Sequence, residues 1–280
     1  MKRHRHLQGL TLIELLVAIA LGLLVLLAAS NLLISSSRSA TDVQGRNELL
    51  EESQIAQNYM AAQLREAVYV FPVGTTITLG ATGYTFNNPV TSNGTWVVGQ
   101  ANAPIVAFVR PPQLLPAGAN TCASDAKYCY QFFAYYPVRR SVWTGSGGAT
   151  SLNNPGIDAS NTDRWVLVEY RSNYASAPTL STLNVSGYSA ASGSSGRLLL
   201  DYVQPQSLAL TGTPPLFQVT TPAAGTSEAP GNTSVTINLA LSRQVGGRAV
   251  TVPARNAATT GPQSVTPLVV TPRNVGNLAP

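Results

Sequence analysis

A run of apolar residues from Leu15 to Ala29 limits what this chain can fold into more than any other stretch. Within the longer segment Leu7–Ile34, Glu14 is the single charged residue. About 20 apolar residues in a helix are enough to span a bilayer, and an ionised carboxylate at that depth costs roughly 2.5–3.5 kcal/mol on insertion scales. The run therefore predicts a membrane helix, and Glu14 is a candidate functional residue within it.

The helical pattern continues well beyond the apolar run. Residues 10–70 contain no proline and only two glycines. In the second half, apolar residues recur at spacings of three and four, which predicts a helix face that packs on a sheet. These residues are Leu49, Ala56, Met60, Leu64, Ala67 and Phe71. We predict one helix with an apolar half at 10–34 and an amphipathic half at 35–71, ended by Pro72.

Short candidate strands alternate with loops rich in Gly, Ser, Asn and Pro from residue 72 onward. The predicted strands are Thr76–Leu79, Thr95–Val98, Ile105–Arg110, Tyr128–Tyr136, Arg164–Arg171, Arg197–Val203, Leu216–Thr220, Val235–Leu241 and Arg248–Val252. The last two flank Arg243–Gly247 and are predicted to form a hairpin. The expected fold class is α+β, with the long helix packed on a mainly antiparallel β-rich head at 72–252. The proline-spaced tail 253–280 is expected to be extended along the sheet or disordered.

Charge and histidine content exclude several classes of function. The chain has 17 Lys and Arg against 12 Asp and Glu, and three of the basic residues lie in residues 1–9. The remainder has a net charge of about +2, too small for a polycationic nucleic-acid binder. Both histidines, His4 and His6, also lie in residues 1–9. If that segment is removed, no histidine is left for a catalytic triad or a metal site, so we expect neither enzyme activity nor a cofactor.

Cys122 and Cys129 are the only cysteines. In an oxidising compartment such a close pair predicts a disulfide, with two free thiols as the alternative. Two thiolates fall short of the four ligands of a structural zinc site. Asp158 and Asp163 do not have the spacing of a calcium-binding loop, so no metal is expected.

The segment Gly9–Leu15, with a basic leader before it and the apolar run after it, resembles the processing site of type IV pilins and type II secretion pseudopilins. In that family a prepilin peptidase cuts after the glycine on the cytoplasmic side and methylates the new amino group. The resemblance implies a leader at 1–9, cleavage after Gly9 and N-methylation of Leu10. The family usually has Phe where this chain has Leu10, which is a departure from the pattern.

The resemblance also gives Glu14 a role in assembly. Its carboxylate is expected to pair with the amine of Leu10, on a neighbouring subunit or on its own chain. Because breaking a buried ion pair costs about 3–5 kcal/mol, such pairing would fix the axial register of subunits. The implied partners are the prepilin peptidase, other pilins and minor pilins, the inner-membrane assembly platform and the inner membrane. The head is expected outside the cytoplasm, and the assembled protein at the cell-surface pilus or its tip.

The order of long helix, sheet strands and late hairpin resembles the PilW-like minor pilins, and the J-type minor pseudopilins share this plan. The expected function is therefore to initiate or cap type IV pilus assembly, with a role in adhesion, motility or DNA uptake. A minor pseudopilin of a type II secretion system is one alternative. A secreted β-domain binding module with a signal cleaved at Ala28-Ala29-Ser30 is another, although it leaves Glu14 and the continuing helix unexplained.

The segment Lys127–Tyr136 is rich in aromatic residues, and Arg139, Arg140 and Trp143 follow it. Aromatic and arginine side chains together can bind single-stranded nucleic acid. Strands favour Tyr and Phe for packing as well, and core or interface packing is the favoured interpretation. Contact of Arg139 and Arg140 with DNA or a partner is kept as a hypothesis.

Overall fold

The computed structural model describes residues 11–80, 83–114, 121–123, 125–145, 153–190, 196–209, 212–221, 233–253 and 265–276. Residues 1–10, which include Gly9 and Leu10, lie outside the described residues. The chain divides into two compact units, Met1–Asn47 and Glu48–Pro280.

In the first unit the described chain is the first part of helix α1 (Leu12–Arg65). The large apolar side chains between Leu12 and Ile34 are 50–79% exposed. A monomeric soluble protein rarely exposes so continuous an apolar surface. By length and composition, helix α1 is able to cross a membrane, with a mean hydropathy of 2.8 in its most apolar window.

The last part of helix α1 belongs to the second unit and packs on the sheet, as the periodicity predicts. Leu49, Ala56, Met60 and Leu64 are at most 3% exposed. The helix ends at Arg65, however, and not at Phe71 before Pro72. Val68 donates to the carbonyl of Val109 at 2.9 Å, and Phe71 donates to that of Ala107 at 3.0 Å. Pairing with a strand therefore replaces the last turns of the predicted helix.

Thirteen strands, two short α-helices and four 3₁₀ helices are the regular elements that follow helix α1 in the described chain. The α-helices are α2 (Arg140–Trp143) and α3 (Leu180–Leu183). The strands are β1 (Tyr69–Val70), β2 (Thr76–Thr78), β3 (Thr95–Val97), β4 (Val106–Arg110), β5 (Gln131–Arg139), β6 (Trp165–Asn173), β7 (Gly187–Ser189), β8 (Arg197–Val203), β9 (Phe217–Thr220), β10 (Ser234–Leu239), β11 (Leu241–Val245), β12 (Arg248–Val252) and β13 (Thr266–Val270).

The strands form one large sheet and two small ones. The large sheet has the order β1-β4-β5-β6-β8-β11-β12, and every neighbouring pair is antiparallel. The small sheets are β13-β10-β9, which is antiparallel, and β3-β2-β7, in which β2 and β7 are parallel. The predicted α+β class, a long helix and a mainly antiparallel head, is confirmed.

The predicted hairpin exists, but the residues predicted for its first strand are wrong. Strand β12 pairs with β11, which starts at Leu241, whereas Val235–Leu239 lies in β10 of a different sheet. Gly246 and Gly247 have φ angles of +56° and +79°, the left-handed conformation that a two-residue hairpin turn requires. Both residues of the turn are thus glycines for a conformational reason.

The C-terminal strand β13 brings the chain back to helix α1. Gln57 donates to the carbonyl of Thr266 at 2.7 Å. Beyond the strand, the amides of Arg273 and Gly276 donate to the carbonyls of Arg65 and Val68, both at 3.1 Å. The carbonyl groups at a helix end lack partners within the helix, and here a distant segment supplies the partner for Arg65, the last helical residue.

Strand β5 lies near the centre of the large sheet and is buried on both faces. Phe132, Phe133, Tyr135 and Tyr136 are fully buried. The ring of Phe133 stacks on Phe108 with centroids 5.3 Å apart. These aromatic rings therefore form the core, and none of the four offers a face on which a base could stack.

Candidate functional site

The N-terminus of helix α1 has a capping box formed by Thr11 and Glu14. The Thr11 hydroxyl accepts a hydrogen bond from the Glu14 amide at 3.3 Å. In return, Glu14 Oε2 accepts bonds from the Thr11 amide at 3.0 Å and from its hydroxyl at 3.1 Å. Both reciprocal bonds of a capping box are thus present, and they satisfy amides that the helix start would leave without partners.

This geometry leaves part of the Glu14 carboxylate available. Both bonds from Thr11 end on Oε2, and Oε1 accepts none from the part of the chain that the structure describes. No cation faces the carboxylate among those residues. Glu14 is thus oriented by its own helix, while its charge has no partner there. The spacing Thr-x-x-Glu is a sequence signal for such a box, and our reasoning from the sequence did not use it.

The structure separates the neighbouring residues Arg139 and Arg140. Arg139, the last residue of β5, is exposed, whereas Arg140 begins α2 and is 1% exposed. Arg140 Nε donates to both oxygens of Asp201, at 3.0 and 3.1 Å, and Nη2 donates to the carbonyl of Gly156 at 2.8 Å. The enclosed guanidinium of Arg140 is not accessible to DNA or a partner, so the hypothesised contact stays a hypothesis for Arg139 alone.

A β-bulge in strand β8 positions Asp201, the ion-pair partner of Arg140. Trp165 pairs with Val203 and Leu167 with Leu200, so Asp201 and Tyr202 together lie opposite a single residue. Tyr202 has a φ of +58°, which is rare for a bulky side chain. Its ring lies 5.0 Å from the guanidinium carbon of Arg140 and 4.9 Å from that of Arg243. Burial raises the pKa of Asp201, and Arg140 beside it opposes that rise.

A second polar cluster joins helix α1 to the large sheet. Glu169 is 3% exposed and accepts bonds from Arg171 Nε at 2.7 Å and from the Tyr135 hydroxyl at 3.2 Å. Arg171 also donates to the hydroxyl of Tyr59 on the helix. Burial raises the pKa of Tyr135 well above its ordinary value, and the Glu169 carboxylate adds to this. Each of these groups is satisfied within the head, so the cluster fixes the helix on the sheet.

The same interface has a further ion pair. Arg110 Nε lies 3.0 Å from Glu66 Oε2, and its Nη1 donates to Gln63. Arg110 is 4% exposed.

A disulfide joins Cys122 to Cys129, with Cα atoms 4.6 Å apart. It closes a short loop just before β5, and the amide of Cys129 donates to the carbonyl of Ala126 at 3.1 Å. The bridge therefore lies directly before the start of strand β5.

The two aspartates considered for calcium have local structural roles. Asp158 Oδ1 accepts the amide of Ser160 at 3.1 Å, and Asp163 Oδ2 lies 3.0 Å from Arg164 Nη1. In the described ranges, no three His, Cys, Asp or Glu side chains are grouped so that they could hold a metal ion.

The chain was also compared with known proteins. A family model described as the prokaryotic N-terminal methylation motif matches residues 5–30. Searches of curated proteins and of solved structures give no match. The matched segment includes the capping box and most of the exposed apolar helix. It supports a structural protein of the type IV pilin or pseudopilin kind, which is processed by a prepilin peptidase and assembles with other pilins. The motif and the apolar helix together fit a protein anchored in the inner membrane and later associated with a pilus.

Proposed function

We propose that this protein is a minor pilin that helps to initiate or cap the assembly of a type IV pilus. The observation that carries the proposal is the methylation motif at residues 5–30, placed on a helix that continues to Arg65 in a large β-rich head. A bulky head packs poorly into a repeating shaft, which favours a position at the filament tip. The arrangement of helix, sheet and late hairpin supports a PilW-like subunit.

Processing is proposed at the Gly9–Leu10 bond. Hydrolysis of this bond releases leader 1–9 and creates an amine on Leu10, which is then methylated. Leu10 directly precedes Thr11, the N-cap of helix α1, so the new cation lies next to the capping box. Before assembly the helix spans the inner membrane, with the basic leader on the cytoplasmic side and the head outside.

In this proposal, assembly depends on an ion pair made by Glu14. The capping box holds its carboxylate at the helix start with Oε1 free of bonds from the described chain. The amine of Leu10 on a subunit already in the assembly supplies the missing positive charge. A subunit in the wrong axial position would leave both charges unpaired in an apolar setting, which is costly. Other pilins and the inner-membrane assembly platform are the partners of this step.

The test is mass spectrometry of the mature N-terminus, made on protein isolated from membranes and from sheared filaments. We expect a chain that starts at Leu10 and carries one added methyl group. A Gly9→Val variant should retain the leader and be absent from filaments, while a Gly22→Val variant, changed within the helix, should still be cut. A wild-type chain that starts near Ser30 would instead establish a secreted module and refute the proposal.

The pseudopilin alternative makes a different physiological prediction. If the protein is a minor pilin, a deletion strain loses surface pili and retains secretion of its exported enzymes. If it is a minor pseudopilin, the deletion strain has normal pili and fails to secrete. Pilus counts by electron microscopy, together with assays of the culture medium, separate the two.

A further inference from the structure

Strand β8 lacks a neighbour along most of one edge, although it lies inside the large sheet. On one side it pairs with β6 from Arg197 to Val203, while on the other side Leu241 of β11 pairs with Val203 alone. Beyond that point β11 diverges, and the backbone of Gln244 exchanges hydrogen bonds with the side chain of Asn161, at 2.7 and 3.1 Å. Along the rest of this edge, the backbone of β8 has no partner among the described residues.

A groove of about 650 Å³ runs along this open edge. Six consecutive residues of β8, Arg197–Tyr202, line it. Because successive side chains of a strand point to opposite faces of its sheet, all six can border one groove only if the groove follows the edge of the strand. Helix α1 forms another wall with Ile55, Ala56 and Tyr59. The groove therefore occupies the place of a neighbouring strand.

The groove offers accessible apolar side chains beside the backbone of β8. Ile55 is 63% exposed, and Leu198, Leu199 and Tyr202 are half-buried. An edge strand presents N–H and C=O groups that pair with an extended peptide lying about 4.8 Å away. In this mode of recognition the backbone supplies affinity and alternate side chains supply specificity. An extended peptide thus uses both the open edge and the apolar surface.

Most charged residues that line the groove already have a neighbour of opposite charge. Asp201 lies 3.0 Å from Arg140, and Glu169 lies 2.7 Å from Arg171. Arg197 pairs in register with Glu169 across the sheet, which places this cation beside an acid. These groups therefore contribute little net charge to the groove.

Glu52 of helix α1 is different. It lines the groove and forms no ion pair with any residue that the structure describes. Partial burial raises the pKa of Glu52, and the carboxylate of Asp201 adds to this rise while Arg243 opposes it. A cation brought to Glu52 would relieve the repulsion between these carboxylates. The groove near Glu52 is therefore complementary to a lysine or arginine side chain.

We propose that the open edge of β8 binds an extended segment of a different protein, which adds to the large sheet as a further strand. The backbone of this segment exchanges hydrogen bonds with β8. Its apolar side chains contact Ile55 and Leu199, and a lysine or arginine pairs with Glu52. This binding needs neither Leu10 nor Glu14, so its test and the test of the proposed function can fail separately.

Other ligands match the open edge less well. The hydrocarbon chain of a lipid can cover Ile55 and Leu199, but it leaves the backbone groups of β8 without partners. A nucleic acid carries phosphates, which the negative charge of Glu52 repels. An extended peptide satisfies the backbone, covers the apolar side chains and supplies a cation.

The test measures binding of fluorescent hexapeptides to the full chain in detergent micelles by fluorescence anisotropy, with empty micelles as background. The first peptide alternates valine and threonine and has one lysine near its end. The second has glutamate in place of the lysine. The third is the lysine peptide with N-methyl groups on all valine and threonine nitrogens, which removes backbone donors and keeps the side chains. We expect the first to bind at least about tenfold more tightly than either of the others.

Several outcomes would overturn the proposal. Equal binding of the lysine and glutamate peptides would show that Glu52 selects nothing. Undiminished binding of the N-methylated peptide would mean apolar adsorption without strand pairing, and no binding of any peptide would leave the edge without this function. A dimer of the chain that the lysine peptide dissociates, as measured by analytical ultracentrifugation, would assign the groove to a second copy and refute a different partner.

Two variants locate the site. Glu52→Lys should weaken binding of the lysine peptide at least about tenfold and strengthen binding of the glutamate peptide, because the charge is reversed. Glu51→Lys, at the adjacent exposed glutamate outside the groove, should leave both affinities nearly unchanged. Since Glu52 is exposed, its variant should keep the wild-type melting temperature by circular dichroism. Equal effects of the two variants would reduce the result to general surface charge and refute the site.

Discussion

Glu14 and Asp201 are both acidic residues in apolar surroundings, but they are satisfied in different ways. Asp201 lies in the head, where Arg140 donates to both of its oxygens and Arg243 lies close to the neighbouring Tyr202 ring. Glu14 lies on an exposed apolar helix, and its bonds come from Thr11 alone among the described residues. The head thus neutralises its own buried charge, whereas no cation among the described residues faces Glu14, which is the basis of its proposed pairing with the amine of Leu10.

This difference separates two kinds of mutation. Changes at Glu14 should affect assembly and leave the stability of the head unchanged. Changes at Asp201 or Arg140 should affect the stability of the head first. The following predictions test that separation, in order of decreasing effect.

The largest effect is expected for Glu14→Gln. Glutamine can replace glutamate in a capping box, so this variant keeps the helix start and removes the charge. We expect its amount in sheared filaments to fall at least about tenfold, because the amine of Leu10 would be left without a counter-charge in an apolar setting. Glu14→Ala, which also removes the bonds from Thr11 to the side chain of residue 14, should fall by a similar factor.

Glu51→Gln is the matched control, since Glu51 is an exposed glutamate on the same helix. It should assemble normally, and all three variants should melt at the wild-type temperature. Normal assembly of Glu14→Gln with failure of Glu14→Ala would mean that the cap, and not the charge, is what assembly requires.

Arg140→Ala is expected to destabilise the head by about 3–5 kcal/mol, because it leaves Asp201 buried without its partner. The measurement is chemical denaturation of the full chain in micelles. Lys127→Ala removes an exposed pair with Asp125 and should change the stability of the head far less, because water screens exposed pairs. If Arg140→Ala were as mild as that control, the head would not depend on neutralising its own charge.

Replacing both Cys122 and Cys129 with serine should cost about 2–3 kcal/mol of unfolding free energy, the value that loop-closure entropy gives for a loop of this length. The wild type in a strong reductant should lose the same amount of unfolding free energy. The stability of the serine variant should not change when the reductant is added. A response of the serine variant would show that the reductant acts elsewhere.

The smallest effect concerns alkaline pH. Burial raises the pKa of Tyr69 to about 12, from 10.0. Because the folded-state pKa is the higher one, the stabilising contribution is complete below pH 10 and is lost as the pH rises toward 12. We expect this one residue to cost less than about 1 kcal/mol at pH 10.5. The pH dependence of unfolding in Tyr69→Phe should be shallower than in the wild type, and identical slopes would contradict the assignment.

The sequence predicted the features that local pattern determines. The spacing of Leu49, Ala56, Met60 and Leu64 marked the buried face of helix α1, and burial confirms it. The capping box could have been predicted too, because Thr-x-x-Glu is a local signal. The position of Glu14 beside an apolar run is visible directly in the order of residues.

Features that depend on distant residues were not predictable in this way. The helix stops at Arg65 because the amides of Val68 and Phe71 pair with β4, and no local signal marks that choice. Arg140 pairs with Asp201 because of a bulge in β8, and the two residues are 61 positions apart in the sequence. Strands β7 and β13 were missed because each is short or contains proline, and pairing with a neighbouring strand defines them.

The bonds from Arg273 to Arg65, the last residue of helix α1, and from Gly276 to Val68 have a consequence for biogenesis. In the proposed topology the helix enters the bilayer early in synthesis, whereas the head lacks these bonds until residues 273–276 have also crossed the membrane. Anchoring therefore precedes completion of the head, and a nascent subunit is tethered at the membrane surface while its last strand is still arriving.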